Sequence, residues 1–130
     1  MAVDIVIETN APEPVYEQIV RQIHDSVKSG RLRPNTALPT VRQLAEDLAV
    51  NRNTIARAFR ILEDQGVIMT AGRKGTFIRP DAAREVVKVK ATRAERVLPR
   101  VIKSLLIDGM SRKEITHIFD TALGLEARKG

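Results

Sequence analysis

Apolar positions recur along this chain with two different periods, and the switch between them orders its elements. Val15, Tyr16, Ile19, Val20, Ile23 and Val27 follow helical spacing, which predicts an amphipathic helix over residues 15–29. Pro14 suits its first turn and Gly30 its end. Upstream, the β-branched run Asp4-Ile5-Val6-Ile7-Glu8 reads as a short edge strand, broken by the proline-rich stretch that follows. Downstream, Pro34 and Pro39 keep residues 31–39 out of helix. Thr40 and Gln43 form a capping-box pair that opens a second helix, with Val41, Leu44, Ala45 and Leu48 as its inner face. Ala49-Val50 makes a very short turn. Asn51 is placed to cap a third helix over residues 52–65, with Ile55, Ala58, Phe59 and Leu62 inward and Gly66 at its end. The period then changes. Residues 67–70 and 76–79 read as two short strands, joined by Ala71-Gly72-Arg73-Lys74-Gly75, whose glycines supply the positive φ of a hairpin tip.

Beyond Pro80 the pattern weakens. Residues 81–91 are charged and β-branched without clear periodicity. Thr92-Arg93-Ala94-Glu95 is a further capping-box candidate, and Val97, Leu98, Val101, Ile102, Leu105 and Leu106 form a helical stripe. Pro99 inside that stripe predicts a kink or a later helix start. Gly109 ends it. Ser111 and Glu114 then cap a last short helix carrying Ile115, Ile118, Phe119, Ala122 and Leu123. The expected fold class is mainly α with a small β-hairpin. The expected division is residues 1–80 as one domain and residues 81–130 as a helical tail.

Composition narrows the function. The chain has 130 residues, no cysteine and a net charge of +6. Disulfides, thiolate metal sites and cysteine nucleophiles are therefore excluded. No apolar run reaches the roughly 20 residues of a membrane span, and the first residues lack a signal peptide's pattern, so a cytoplasmic protein without a membrane partner is expected. The positive balance suits a polyanion, but it is spread evenly: residues 11–80 and residues 81–130 each carry 11 basic and 7 acidic side chains. Placement has to decide. Catalysis finds no support. His24 and His117 stand isolated among helical residues, Glu46-Asp47 and Glu63-Asp64 are adjacent acids on exposed faces, and no spacing suits a metal. No cofactor is expected.

The informative block is residues 40–62. Two helices meet across a very short turn, with small Ala45 at the crossing and Val50 as an apolar plug. A helix-turn-helix demands that arrangement, and the hairpin that follows supplies a wing. The outer face of the third helix is polar or basic: Arg52, Asn53, Thr54, Arg57 and Arg60 precede the first acid, Glu63. The start of such a helix enters the major groove. There Arg52 suits guanine, Asn53 adenine, and Thr54 a phosphate or a thymine methyl. The N–H groups of the helix start also favour phosphate. Arg42 is placed for the adjoining backbone or groove edge, and Arg73 and Lys74 at the wing tip for the neighbouring minor groove or its phosphates. The competing reading is a solvated face of ordinary surface arginines; the concentration of these residues on the two elements that must meet DNA weighs against it.

Residues 14–80 resemble the winged DNA-binding domain of the GntR family of bacterial regulators. The resemblance rests on Pro14-Val15-Tyr16-Glu17-Gln18-Ile19, Leu38-Pro39-Thr40-Val41-Arg42-Gln43-Leu44-Ala45, the run from Asn51 to Glu63, Gly66-Val67-Ile68 and Gly75-Thr76-Phe77. It implies operator contacts by Arg42, Arg52, Asn53, Thr54 and the tip around Gly72 and Arg73. One position departs: many members carry arginine where this chain has Ala56, with Arg57 one step later. The tail after Pro80 is too short to enclose a metabolite pocket of about 300 Å³ or more. It resembles the two-helix tail of the YtrA subfamily, which implies dimerisation and a repressor role. Leu98, Val101, Ile102, Leu105, Ile118 and Phe119 are the expected dimer contacts. A two-fold pair of recognition helices implies an inverted-repeat operator in double-stranded DNA. The sequence neither requires nor excludes a small-molecule effector. Lys88, Lys90 and Arg93 read as a solvated linker. Assembly of other proteins is disfavoured because the outer face lacks apolar anchors. RNA binding is disfavoured because one Tyr and three Phe offer few stacking platforms.

Overall fold

The computed structural model describes residues 3–125. They form two compact units, residues 3–89 and residues 90–125. The first holds α1 (Val15–Lys28), α2 (Val41–Leu48), α3 (Arg52–Asp64) and an antiparallel hairpin of β1 (Ile68–Thr70) and β2 (Thr76–Ile78). It ends within α4 (Ala82–Ile107), and α5 (Arg112–Ala122) lies in the second.

Local signals account for the helix ends. Thr40 accepts from the Gln43 N–H at 3.0 Å while Gln43 Oε1 accepts from the Thr40 N–H at 2.9 Å, so the expected capping box closes. Ser111 and Glu114 close a second at α5. Asn51 Oδ1 accepts from the Asn53 N–H at 2.7 Å. The turn between α2 and α3 is made by Ala49 in the left-handed conformation, with φ 54°. This lets the Val50 N–H reach back to the Ala45 carbonyl at 3.0 Å.

The inner faces of these elements fill one core. Ile19 and Ile23 of α1 pack with Leu44 of α2, with Ile55, Ala58, Phe59 and Leu62 of α3, and with Ile68 and Ile78 of the hairpin, all buried. Each of these large side chains, Ala58 apart, contributes about 1.5–3 kcal/mol on burial. His24 is buried too, and its Nε2 shares a 2.7 Å hydrogen bond with Gln65 Oε1 at the end of α3. A satisfied core histidine is what its isolation in the sequence suggests.

Three expectations are corrected. Residues 4–8 form no strand. They are extended, with Val3, Ile5 and Ile7 turned inward, but their hydrogen bonds run to side chains of α1. Gln22 bonds both backbone groups of Val6, at 3.0 and 2.8 Å, and Gln18 does the same for Glu8, at 2.8 and 3.0 Å. Two glutamines one helical turn apart thus substitute for a partner strand. Second, the connector is more than a loop. Asn35 and Leu38 donate to the Ile78 and Thr76 carbonyls at 2.8 Å each, and Ile78 donates to the Thr36 carbonyl at 2.9 Å. Backbone pairing therefore flanks β2 on both sides. Third, α4 already begins at Ala82, so Thr92 to Glu95 lie inside a helix and cap nothing, and Pro99 also falls within it. The early start has a packing cause: Ala82 and Val86 are buried in the first unit, and Glu85 lies over Gly66. The compact unit thus continues past Pro80 to residue 89. At the head of α4, the Arg79 hydrogen bond holds the Asp81 carboxyl below its ordinary range.

Among the described residues, no helix is long and apolar enough to cross a membrane. Ala49 occupies a conformation that costs a residue with a Cβ about 1 kcal/mol. Ala49→Gly should therefore raise unfolding stability by about 0.5–1 kcal/mol, read from the midpoint of a urea melt. An unchanged or lowered midpoint would show that the turn is not strained.

Candidate nucleic-acid interface

The rotation of α3 about its axis is fixed by its four buried side chains, and this decides which residues it presents outward. Arg52, Asn53, Arg57 and Arg60 are exposed, and Thr54 is half-buried. Among the described residues, the side chains of Arg52 and Arg60 have neither a hydrogen bond nor an ion pair, and those of Arg73 and Lys74 are equally free. Cations in that state are available to a ligand.

Arg42, the second residue of α2, is exposed and lies 3.4 Å from Glu46 one turn on. Such a pair in water is worth at most about 1 kcal/mol and does not commit the guanidinium. The helix starts divide the backbone donors unequally. At α3, Asn51 takes the Asn53 N–H through its side chain and the Thr54 and Ile55 N–H groups through its carbonyl. Only the Arg52 N–H of that turn is left, so anion capture by this helix start is narrower than the sequence suggests. At α2, the Val41 and Arg42 N–H groups remain open after the capping box closes.

The hairpin tip is a single turn of 3-10 helix, Gly72–Lys74, which lifts Arg73 and Lys74 into solvent. Its closure depends on Gly75, at φ 100° and ψ −158°, a region open essentially to glycine alone. The Ala71 N–H bonds the Gly75 carbonyl at 2.8 Å across the neck. Thr70 donates to Glu63 at 2.7 Å and so ties the hairpin to the end of α3.

All the residues read from the sequence as DNA contacts, from Arg42 to Lys74, therefore lie in one compact unit, on α2, α3 and the hairpin tip. Arg57 is placed differently from the rest. Its guanidinium carbon sits 3.9 Å from the centroid of the Tyr16 ring, on α1. The sequence assigned Tyr16 to the apolar face of its helix and gave it no other role. Its half-burial and the arginine 41 positions later could not be joined without the packing of α1 on α3.

The second unit comprises residues 90–125. Ile115 is its one buried hydrophobic residue among the described ones. Leu98, Val101 and Ile118 are 45%, 46% and 50% exposed, and Ile102, Leu105 and Phe119 are half-buried. Among the described residues, no group of acids and histidines is arranged to hold a metal.

Three helices, a tight turn between the second and third, and a basic-tipped hairpin define a winged helix-turn-helix. Residues 15–78 match the model of the bacterial regulatory proteins of the gntR family. The chain is 36% identical over 114 residues to the HTH-type transcriptional regulator Rv1152 of Mycobacterium tuberculosis, covering 88% of this chain and 93% of that one. It is 35% identical over 104 residues to the HTH-type transcriptional repressor YtrA of Bacillus subtilis, covering 80% and 77%. Among solved structures, a transcriptional regulator from Oenococcus oeni superposes with a TM-score of 0.67 at 35% identity, covering 90% of this chain and 97% of that one. The DNA-binding domain of AraR in complex with operator ORX1 superposes with a TM-score of 0.51 at 25% identity, covering 58% and 95%. The protein belongs to the GntR family, and its relatives include the repressor YtrA and the regulator Rv1152.

Gly75→Ala should destabilise the hairpin by about 1–3 kcal/mol, because the new Cβ meets a forbidden backbone conformation. Hydrogen exchange at Ala71 and Thr76 would rise while the α1 core stays protected; unchanged exchange would show that the neck tolerates a side chain.

Proposed function

We propose that this protein is a cytoplasmic, non-catalytic transcription repressor that binds an inverted-repeat operator in duplex DNA as a homodimer. The observation that carries the reading is the set of uncommitted cations on the start of α3 and on the hairpin tip of the same unit. Arg52 and Asn53 are the base-reading pair, since both offer geometry that matches a purine edge in the major groove. Thr54, half-buried beside them, contacts backbone or a thymine methyl. Arg42, Arg73 and Lys74 contact phosphates, and Gly72 lets the tip approach closely. The superposition on an operator-bound domain supports this assignment.

Dimerisation is supported by the apolar surface of the second unit. Leu98, Val101, Ile102 and Leu105 stand at i, i+3, i+4 and i+7 on α4, which makes one continuous stripe. Val97, Leu106 and Ile107 add to the apolar surface left in water, with Ile107 at 75% exposure. A second copy would cover the stripe, joined by Ile118 and Phe119 of α5. No membrane partner or cofactor belongs to this reading, and a small-molecule effector is no part of it.

Duplexes selected from a random pool by the purified protein test the reading. Arg52→Ala should weaken binding to the selected duplex by about 1–3 kcal/mol and relax preference at one base pair, whereas Lys74→Ala should weaken all duplexes alike. Loss of neither affinity nor preference in the Arg52 variant would remove the base-reading role. Leu105→Glu should give monomers by light scattering, and with them a large loss of operator affinity. A dimer that survives would move the interface away from α4.

A further inference from the structure

Tyr16 and Arg57 form a pair whose function the core does not require. Arg57 is exposed on α3, one turn after the residues assigned to base reading. Its guanidinium lies above the Tyr16 ring, 3.9 Å from the centroid, a separation that fits face-to-face stacking. Tyr16 stands in the first turn of α1, half-buried against the core, so its ring is anchored. Its hydroxyl donates to Glu17 Oε1 at 3.2 Å, which further limits the ring.

Stacking uses the flat face of a guanidinium and leaves its in-plane N–H groups open. Among the described residues, Arg57 has no hydrogen bond or ion pair. A free arginine would have to surrender its rotamers on meeting a ligand; one already laid on a ring surrenders fewer. We propose that Tyr16 is a positioning residue for DNA recognition, holding Arg57 so that its N–H edge is presented to an oxygen-bearing acceptor on the duplex. That acceptor is a guanine edge or a phosphate, since both offer paired acceptors to the fork. The inference rests on the operator-binding reading and adds α1 to the elements that shape the contact.

A double-mutant cycle on the selected duplex tests it. Tyr16→Phe keeps the ring and should bind within about twofold of the parent. Tyr16→Leu and Tyr16→Met remove the ring and should each weaken binding roughly fivefold. Arg57→Ala should weaken it roughly tenfold. The decisive arm is Tyr16→Leu in the Arg57→Ala background, where a further loss below about twofold is expected. If Tyr16→Leu costs the same in both backgrounds, the ring acts on folding or elsewhere and the proposal fails. It fails equally if the Phe variant loses as much as the Leu variant, or if both ring-free variants bind like the parent. Relaxed preference at one G·C pair in Arg57→Ala identifies the base edge. Uniform weakening with a salt dependence shallower by about 0.9 in log–log slope identifies a phosphate. Either outcome supports the positioning role, because the coupling carries it. A parent protein that selects no duplex would overturn the operator reading and this inference together. Selection with Tyr16 uncoupled from Arg57 overturns only the latter.

Discussion

The burial of Ile55, Ala58, Phe59 and Leu62 fixes the angle of α3 about its own axis, and the rest of the first unit depends on that angle. A helix turned by one residue rotates about 100°, which would carry Arg52 and Arg60 toward the core and expose apolar surface. Four buried side chains hold it against such rotation, the three large ones, Ile55, Phe59 and Leu62, each worth about 1.5–3 kcal/mol. The opposite face is then free to be polar without cost to the fold. The packed face and the polar face are thus separated onto two sides of a single helix, and the capping by Asn51 adds a fixed starting point along the axis.

The parts legible in the sequence are those set by interactions within a few residues. The capping boxes at Thr40 and Ser111, the cap at Asn51, the apolar stripes of α1 to α3 and the glycine-tipped hairpin follow from local rules and stand where those rules put them. What stayed hidden depends on contacts distant along the chain. Nothing in Ile5-Val6-Ile7 distinguishes pairing with a strand from pairing with Gln18 and Gln22, since an amide side chain and a peptide offer the same donor and acceptor. The start of α4 has weak periodicity because only Ala82 and Val86 need to be buried. For the candidate interface, the outward residues of α3 could be listed from spacing alone. The stacking of Arg57 on Tyr16 could not, as it needs α1 laid beside α3.

The second unit obeys a different economy. Its described residues enclose only Ile115, while α4 and α5 leave large aliphatics in water. A surface of this kind in an isolated chain is thermodynamically unfavourable, and association is the ordinary remedy. The same apolar stripe that is poor as a core for one copy would be adequate as half of a core for two. Folding of the tail and assembly of the protein would then be one event, dependent on concentration.

Backbone pairing on both sides of β2 has a consequence for how the wing can diverge. Its stem is held by main-chain hydrogen bonds from residues 35–38 and from β1, which are indifferent to side-chain identity. The three residues of the tip contribute almost nothing to that stem. Natural variation can therefore rewrite Arg73 and Lys74, or lengthen the turn, while the scaffold beneath stays unchanged. If the tip grips phosphates as proposed, a lineage of such proteins could tighten or loosen its hold on any duplex by editing a few codons there, with no compensating change in the core.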